Sequence, residues 1–285
     1  MIVWQRSGVL TPLRRLRRSV RAGRSDAPGP AIDVLGRVGL VSYGLVHLVV
    51  AWLAVQIAVG APERPADAQG AVAEIAASGV GVVGLVVVAV GLVAFAVWQL
   101  TAAWLGFRWV SGGERRRKRV GAVAKAVAML ALAGVTATFL VSGRRSGDQG
   151  AREAVADVLV LPAGRLLVLL GGVVIGTVAV TMTYTGVRRT FMGDLDLRRV
   201  SVVVRRLIEA IGVLGHLARA LALAMVGVLV VTAAVASDAG RAGGLDAALR
   251  ALGETPLGPA LLVVVAVGFG AFGLYCLADA ALRRA

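Results

Sequence analysis

Three polar side chains stand at matching places in the chain and could together bind an anion. Tyr43, Lys125 and Arg219 each follow, by four residues, the glycine that opens an apolar stretch. One hydroxyl and two cations at a common level could form a polar collar that meets an anion or a lipid headgroup. The alternative is that they anchor helix ends at a membrane interface, with the long side chains extending their charge to water.

Two further polar residues lie within apolar stretches. His47 is an ionisable group in the first of them, which makes it a candidate proton or ligand contact. Its repeat equivalents are Met129 and Leu223, so no ring of histidines forms, and the alternative is a hydrogen bond to a neighbouring helix. Gln99 in the second stretch is expected to hydrogen-bond between helices.

Motifs for catalysis and cofactor binding find little support. G-x-S-x-G, H-E-x-x-H and a Walker loop are all absent. G-x-G-x-x-G occurs at 79–84 and 268–273, but no strand precedes either match, so close helix packing explains the glycines better. His47 and His216 have no Cys, Asp or Glu nearby and make a poor metal site. We expect no enzyme activity, no catalytic residue, no cofactor and no metal.

The elements that must position these residues are membrane-spanning helices. Hydrophobic residues make up 58% of the 285, charged residues only 16%, and the mean hydropathy is +0.82. A helix of roughly 20 apolar residues crosses about 30 Å of hydrocarbon. Six charge-free stretches of 18 or more residues meet this need, at 38–62, 75–107, 126–143, 166–187, 220–237 and 255–278.

The distribution of basic residues predicts the orientation. Of the 31 lysines and arginines, 21 lie in the two terminal segments and in the connections after the second and fourth stretches, against six in the other connections. The positive-inside rule then places both termini in the cytoplasm of a cell (inner) membrane. Apolar residues between 10 and 20 alternate with arginines, which predicts an amphipathic helix that binds anionic headgroups, as do the basic cytoplasmic loops. We expect no nucleic-acid partner, and protein partners are unknown.

An internal repeat organises the chain. Residues 85–91 recur identically as 262–268, at an offset of 177 residues, and a weaker middle copy lies halfway between them. Each unit reads as helix, outer connection, helix, so three parallel units would surround a pseudo-threefold axis. The outer connections, near 67–78, 150–161 and 244–253, predict short amphipathic helices. The predicted domains are a basic tail (1–34) and three repeats (35–113, 114–200 and 201–285).

With the repeats laid out, the chain resembles the bacterial membrane family known as domain of unknown function 1206. Three stretches carry the resemblance: Gly36 to His47, the Gln-Gly-Ala segment at 69–71 with the helix after it, and the closing segment at 273–279. It covers about residues 35–285, and the middle copy departs most. The resemblance implies tandem two-helix units in a membrane. It implies no activity, cofactor or site residue.

These observations predict an all-α polytopic membrane protein with six spans in three parallel two-helix repeats. The function we expect is a non-enzymatic structural or accessory role in the membrane. The alternative is a passive channel or small-solute carrier through the pseudo-threefold centre. A carrier needs a central polar cavity, whereas a structural protein would have its centre packed shut.

Overall fold

The computed structural model describes residues 30–79, 81–105, 112–142, 147–198 and 200–283. Within these ranges the chain is helical and forms no named strand. The predicted all-α fold is therefore confirmed, and so are six helices long and apolar enough to span a membrane. The predicted amphipathic helix of the basic tail lies outside the described residues.

Nine α-helices form from these residues, and they are of two kinds. Six long ones follow the apolar stretches, because a backbone in lipid must satisfy its polar groups within the helix. Three short ones lie in the predicted outer connections and are called the lid helices. In chain order the nine are α1 Pro30–Ala58, α2 Ala68–Ala77 (lid), α3 Gly81–Leu105, α4 Gly112–Ser142, α5 Gly147–Leu159 (lid), α6 Gly164–Arg188, α7 Val202–Ala236, α8 Leu245–Gly253 (lid) and α9 Gly258–Leu282.

The six spans follow one another around a ring that is open at one place. Neighbours pack in the order α4, α3, α1, α9, α7 and α6. Among the described residues, the two spans of the middle repeat, α4 and α6, do not pack along each other. We call this opening the seam. The ends of the bundle are called the terminal end, where α1 begins and α9 ends, and the lid end.

Glycines at the helix contacts show why the ring closes elsewhere. Gly215 allows α7 to pack closely against α9, since a Cβ there would lie 2.7 Å from the Cα of Phe272. Small residues allow such backbone approach in lipid. Gly172 on α6 lies likewise against Gly227 on α7. Gly121 on α4, in contrast, has nothing within 4 Å of the added Cβ.

The lid helices close the other end of the bundle. Val72 and Ile75 of α2 and Leu249 of α8 are buried in the same core as Leu53 of α1, which is fully buried. Each lid helix also contacts the first span of the following repeat: α2 contacts α4, α5 contacts α7, and α8 contacts α1. This cyclic pattern agrees with the predicted arrangement of three parallel units.

Candidate functional site

Arg219 and Tyr43, predicted to occupy equivalent positions, meet inside the bundle. The Arg219 guanidinium on α7 donates a hydrogen bond of 2.7 Å to the Tyr43 hydroxyl on α1. Its Cζ atom also lies 4.1 Å from the centre of the Phe272 ring on α9. Such a cation–π contact is stronger where water is excluded. The contacts hold the cation between three spans.

His47 completes this cluster without binding another helix through its Nδ1 atom. That atom lies 2.9 Å from the carbonyl oxygen of Tyr43, four residues earlier in α1. A carbonyl only accepts, so Nδ1 carries a proton. The ring packs against Phe272 at 4.8 Å between centres. His216 repeats the pattern with the carbonyl oxygen of Gly212.

Lys125, the third member of the predicted collar, lies near the cluster but does not bond to it. It is exposed, although it is within electrostatic range of Arg219 and of Asp194 and Asp279. Among the described residues, neither Lys125 nor Arg219 forms an ion pair with a carboxylate. The structure therefore brings to one region of the bundle two cations that make no direct ion pair with the described carboxylates.

Gln99 lies apart from the other four candidates. It is buried on α3, and its Nε2 atom has no hydrogen-bond partner among the described residues. Neither a hydrogen bond nor an ion pair joins it to the Arg219 cluster in this part of the chain. The expected interhelical hydrogen bond of Gln99 is thus not formed by this nitrogen within the described residues.

A short segment between α6 and α7 covers the terminal end of the bundle. It contains a 3₁₀ turn at Thr190–Asp194. Phe191 inserts between α7 and α9, with its ring 4.9 Å from His216 and 5.1 Å from Tyr275. Asp194 lies 3.8 Å from Lys118 of α4 and 3.9 Å from Arg283. These contacts connect α4, on one side of the seam, with the segment that follows α6, on the other side, at the terminal end of the bundle.

At the lid end, three carboxylates link the lid helices in a cycle that we call the aspartate ring. Asp67 accepts a hydrogen bond from the backbone nitrogen of Gly147, at the start of the next lid helix. Asp148 accepts in turn from Gly244, at 2.8 Å. Asp246 accepts from Ala66, also at 2.8 Å, and so returns to the first repeat. Helix N-termini favour negative charge, so each carboxylate stabilises a neighbour's lid helix.

The aspartate ring was missed in the sequence because its members do not all align. Asp67 lies one residue before its lid helix, whereas Asp148 and Asp246 are each the second residue of theirs. The signal that was present is an acidic residue within or just before the first turn of all three predicted lid helices. Their contacts across repeat boundaries depend on packing.

Asp67 lies outside the spans, and its surroundings change its pKa. Burial raises the pKa of Asp67, and the nearby carboxylates of Asp246 and Asp148 raise it further. Hydrogen bonds from the backbone nitrogens of Gly70 and Gly147 act in the opposite direction. Because burial is the largest contribution, the ionised carboxylate is less favourable here than in water.

Comparison with known proteins identifies the repeats. The model of the family described as Domain of Unknown Function (DUF1206) matches the chain three times, over residues 38–106, 120–189 and 214–283. The chain belongs to the DUF1206 family. Each match begins five residues before Tyr43, Lys125 or Arg219, which supports their equivalence in the three DUF1206 units.

One curated relative covers most of the DUF1206 chain. It is the uncharacterized protein YxxB of Bacillus subtilis (strain 168), 27% identical over 252 residues, which are 87% of this chain and 90% of the relative. No solved structure matches the chain.

The chemistry open to the polar cluster is binding of negative charge. Arg219 uses one of its five N–H donors on Tyr43, and Lys125 offers three more. Within the described ranges, no group of three His, Cys, Asp or Glu side chains could hold a metal ion. The one cysteine, Cys276, is buried and free.

Proposed function

We propose that this DUF1206 protein is a non-enzymatic structural or accessory protein of the cell (inner) membrane. The observation that carries the proposal is the closed lid end. Two of the three lid helices, α2 and α8, share one apolar core with α1, and the aspartate ring ties all three lid helices to one another. A polar path across the bundle would have to break both. Lys125 and Arg219 then serve to hold the protein against negative charge in the membrane.

We propose that the terminal end faces the cytoplasm. The excess of arginine and lysine in the segments on that side supports this orientation. Those segments would contact anionic headgroups, each cation contributing about 1 kcal/mol near the surface.

The orientation is tested by thiol labelling in whole cells. Ser237 caps the lid-end terminus of α7, Ser201 caps its other end, and both are exposed. A membrane-impermeant maleimide should label Ser237→Cys from outside and leave Ser201→Cys unlabelled until the cells are opened. The buried Cys276 gives a low background. Labelling of Ser201→Cys in intact cells would reverse the proposed orientation.

A carrier is the second candidate, favoured by one observation. Tyr43 and Arg219 occupy equivalent repeat positions and bond to each other, with Lys125 nearby. Carriers with internal repeats hold their substrates near the interface between the repeats. A polar site that lies near the terminal end and is closed off at the lid end could release an anion after the lid opens.

Flux from purified protein in liposomes separates the two candidates. Wild type is compared with His47→Ala and Arg219→Ala, and with Arg205→Ala as a control that removes an exposed cation near the start of α7. Tight vesicles with folded wild-type protein support the structural role. Anion leakage or current that the two central variants abolish, and Arg205→Ala does not, would replace it with the carrier.

A further inference from the structure

We propose that an anionic phospholipid occupies the seam, with its phosphate at Lys125 and Arg219 and its acyl chains between α4 and α6. The inference rests on the proposed accessory function and names the ligand of its cationic site.

The seam opens sideways, towards the surrounding hydrocarbon. In the apolar 18-residue segment of each span, only 22% of the residues of α4 and 17% of those of α6 are buried, whereas the other four spans have 39–56% buried. Gly121 marks the same opening, because the space beside it is unfilled, although the equivalent Gly215 is tightly packed. Lipid chains must cover any apolar surface left free within a bilayer. The walls of the seam are therefore lipid-accessible.

Lys125 is exposed on α4 at this opening, Arg219 lies within electrostatic range of it, and neither forms an ion pair with a carboxylate among the described residues. The carboxylates described at the terminal end are each engaged by another cation: Asp33 by Arg37, Asp194 by Lys118 and Arg283, Asp196 by Arg198, Glu209 by Arg189, and Asp279 by Arg283. An intramembrane charge is costly unless it is paired. Lys125 and Arg219 thus lack the partner that a phosphate would supply, and charge-assisted hydrogen bonds to phosphate are among the strong ones.

The level of the cations matches that of a headgroup. The charge-free stretches of α4 and α7 begin directly after Lys125 and Arg219. Both cations therefore stand at the boundary between headgroups and hydrocarbon on the terminal side. A phosphate at that level leaves the acyl chains running along the seam towards the lid helices, where the walls are apolar. A free phosphate ion would leave those walls uncovered.

A second copy of the chain fits the seam less well than a lipid. A copy with the same orientation would bring its own Lys125 and Arg219 to the same level. Its described carboxylates there are already paired. Like charges would then face each other in a medium of low dielectric constant, which is unfavourable. An anionic lipid brings the opposite charge.

The test uses the purified full chain in nanodiscs of phosphatidylcholine with a minor fraction of phosphatidylglycerol. Lipids retained after gentle delipidation are counted by native mass spectrometry. The double variant Lys125→Gln/Arg219→Gln is compared with the control Arg188→Gln/Arg205→Gln, which removes equal charge from exposed positions on the same side. A third variant, Gly121→Trp, fills the open space without changing charge.

We expect one tightly held phosphatidylglycerol on wild type and on the control. Affinity should fall about tenfold or more in the double variant, since two charge-assisted hydrogen bonds are lost. Gly121→Trp should also lose the lipid while remaining folded. Equal loss in the control would show general surface attraction and overturn the proposal. Displacement of the lipid by inorganic phosphate alone would also overturn the proposal. A wild-type protein that forms a dimer and retains no lipid would do the same. Flux in liposomes reports separately on the accessory role.

Discussion

Removal of the Asp67 side chain should weaken the whole lid end. In Asp67→Ala, the backbone nitrogen of Gly70 loses its cap at 2.7 Å and that of Gly147 loses a bond of 3.2 Å from the neighbouring repeat. Loss of an N-cap costs about 1 kcal/mol. The second bond contributes about 1 kcal/mol, and a donor left unsatisfied adds to the cost. We therefore expect a loss of about 2–3 kcal/mol in the free energy of unfolding.

Cys276 provides the assay for this variant. It is the only cysteine and is 1% exposed, so a fluorogenic maleimide reacts with it mainly after the bundle unfolds. On heating in detergent, Asp67→Ala should melt about 5–10 °C below wild type, using the usual scaling for a chain of this size. Glu63→Ala is the matched control, because it removes an exposed acid from the same connection. A melting point for Asp67→Ala equal to that of the control would refute the role assigned to the aspartate ring.

The effect of Asp67 also depends on pH, and the sign follows from its raised pKa. The folded protein binds the proton of Asp67 more tightly than the unfolded chain, whose carboxyl has a pKa near 3.8. The stability that this tighter proton binding contributes is thus fully present below pH 3.8 and is lost as the pH rises through the folded value, whereas the hydrogen bonds from Gly70 and Gly147 remain. Asp67→Asn keeps one capping oxygen and cannot ionise. Its melting point should lie furthest below that of wild type in acid and approach it as the pH rises; a constant gap would contradict the raised pKa.

Three further outcomes follow from the packing of the spans. Gly215→Leu should prevent folding or lower the melting point strongly, because the backbone of Phe272 occupies the added volume, whereas Gly121→Leu should fold normally; equal yields of folded protein would contradict the seam. Arg219→Lys should lower the melting point by about 2–5 °C, because it keeps the charge and loses the planar contact with Phe272; an unchanged melting point would show that the contact adds no stability. Cys276 in folded wild type should react with a maleimide at least about a hundredfold more slowly than in unfolded protein, because the bundle must open locally before the thiol can react. Fast labelling would show that α9 is loosely packed.

The collar of Tyr43, Lys125 and Arg219 shows how far repeat comparison reaches. Counting from the opening glycines placed the three residues at one level, and the family matches agree with that register. The contact between Arg219 and Tyr43 could not be read from spacing, since it depends on how α1 and α7 each pack against α9. Nor could spacing show that Lys125 forms no ion pair with a described carboxylate, because that depends on where the segment after α6 places Asp194, which pairs with Lys118 and Arg283.

The sequence by itself determined the number of spans, the three repeats and the positions of the lid helices, because these depend on local patterns of apolar and charged residues. Only the tertiary structure decided where the ring stays open. All three repeats carry a glycine at the start of the first apolar stretch, but among the described residues the two spans pack along each other only in the first and third repeats. It also decided that Asp67, Asp148 and Asp246 bind one another's helices. Contacts of this kind join residues about 80 to 180 positions apart. They arise from the packing of complete helices and from the path of each chain segment, which no local pattern encodes.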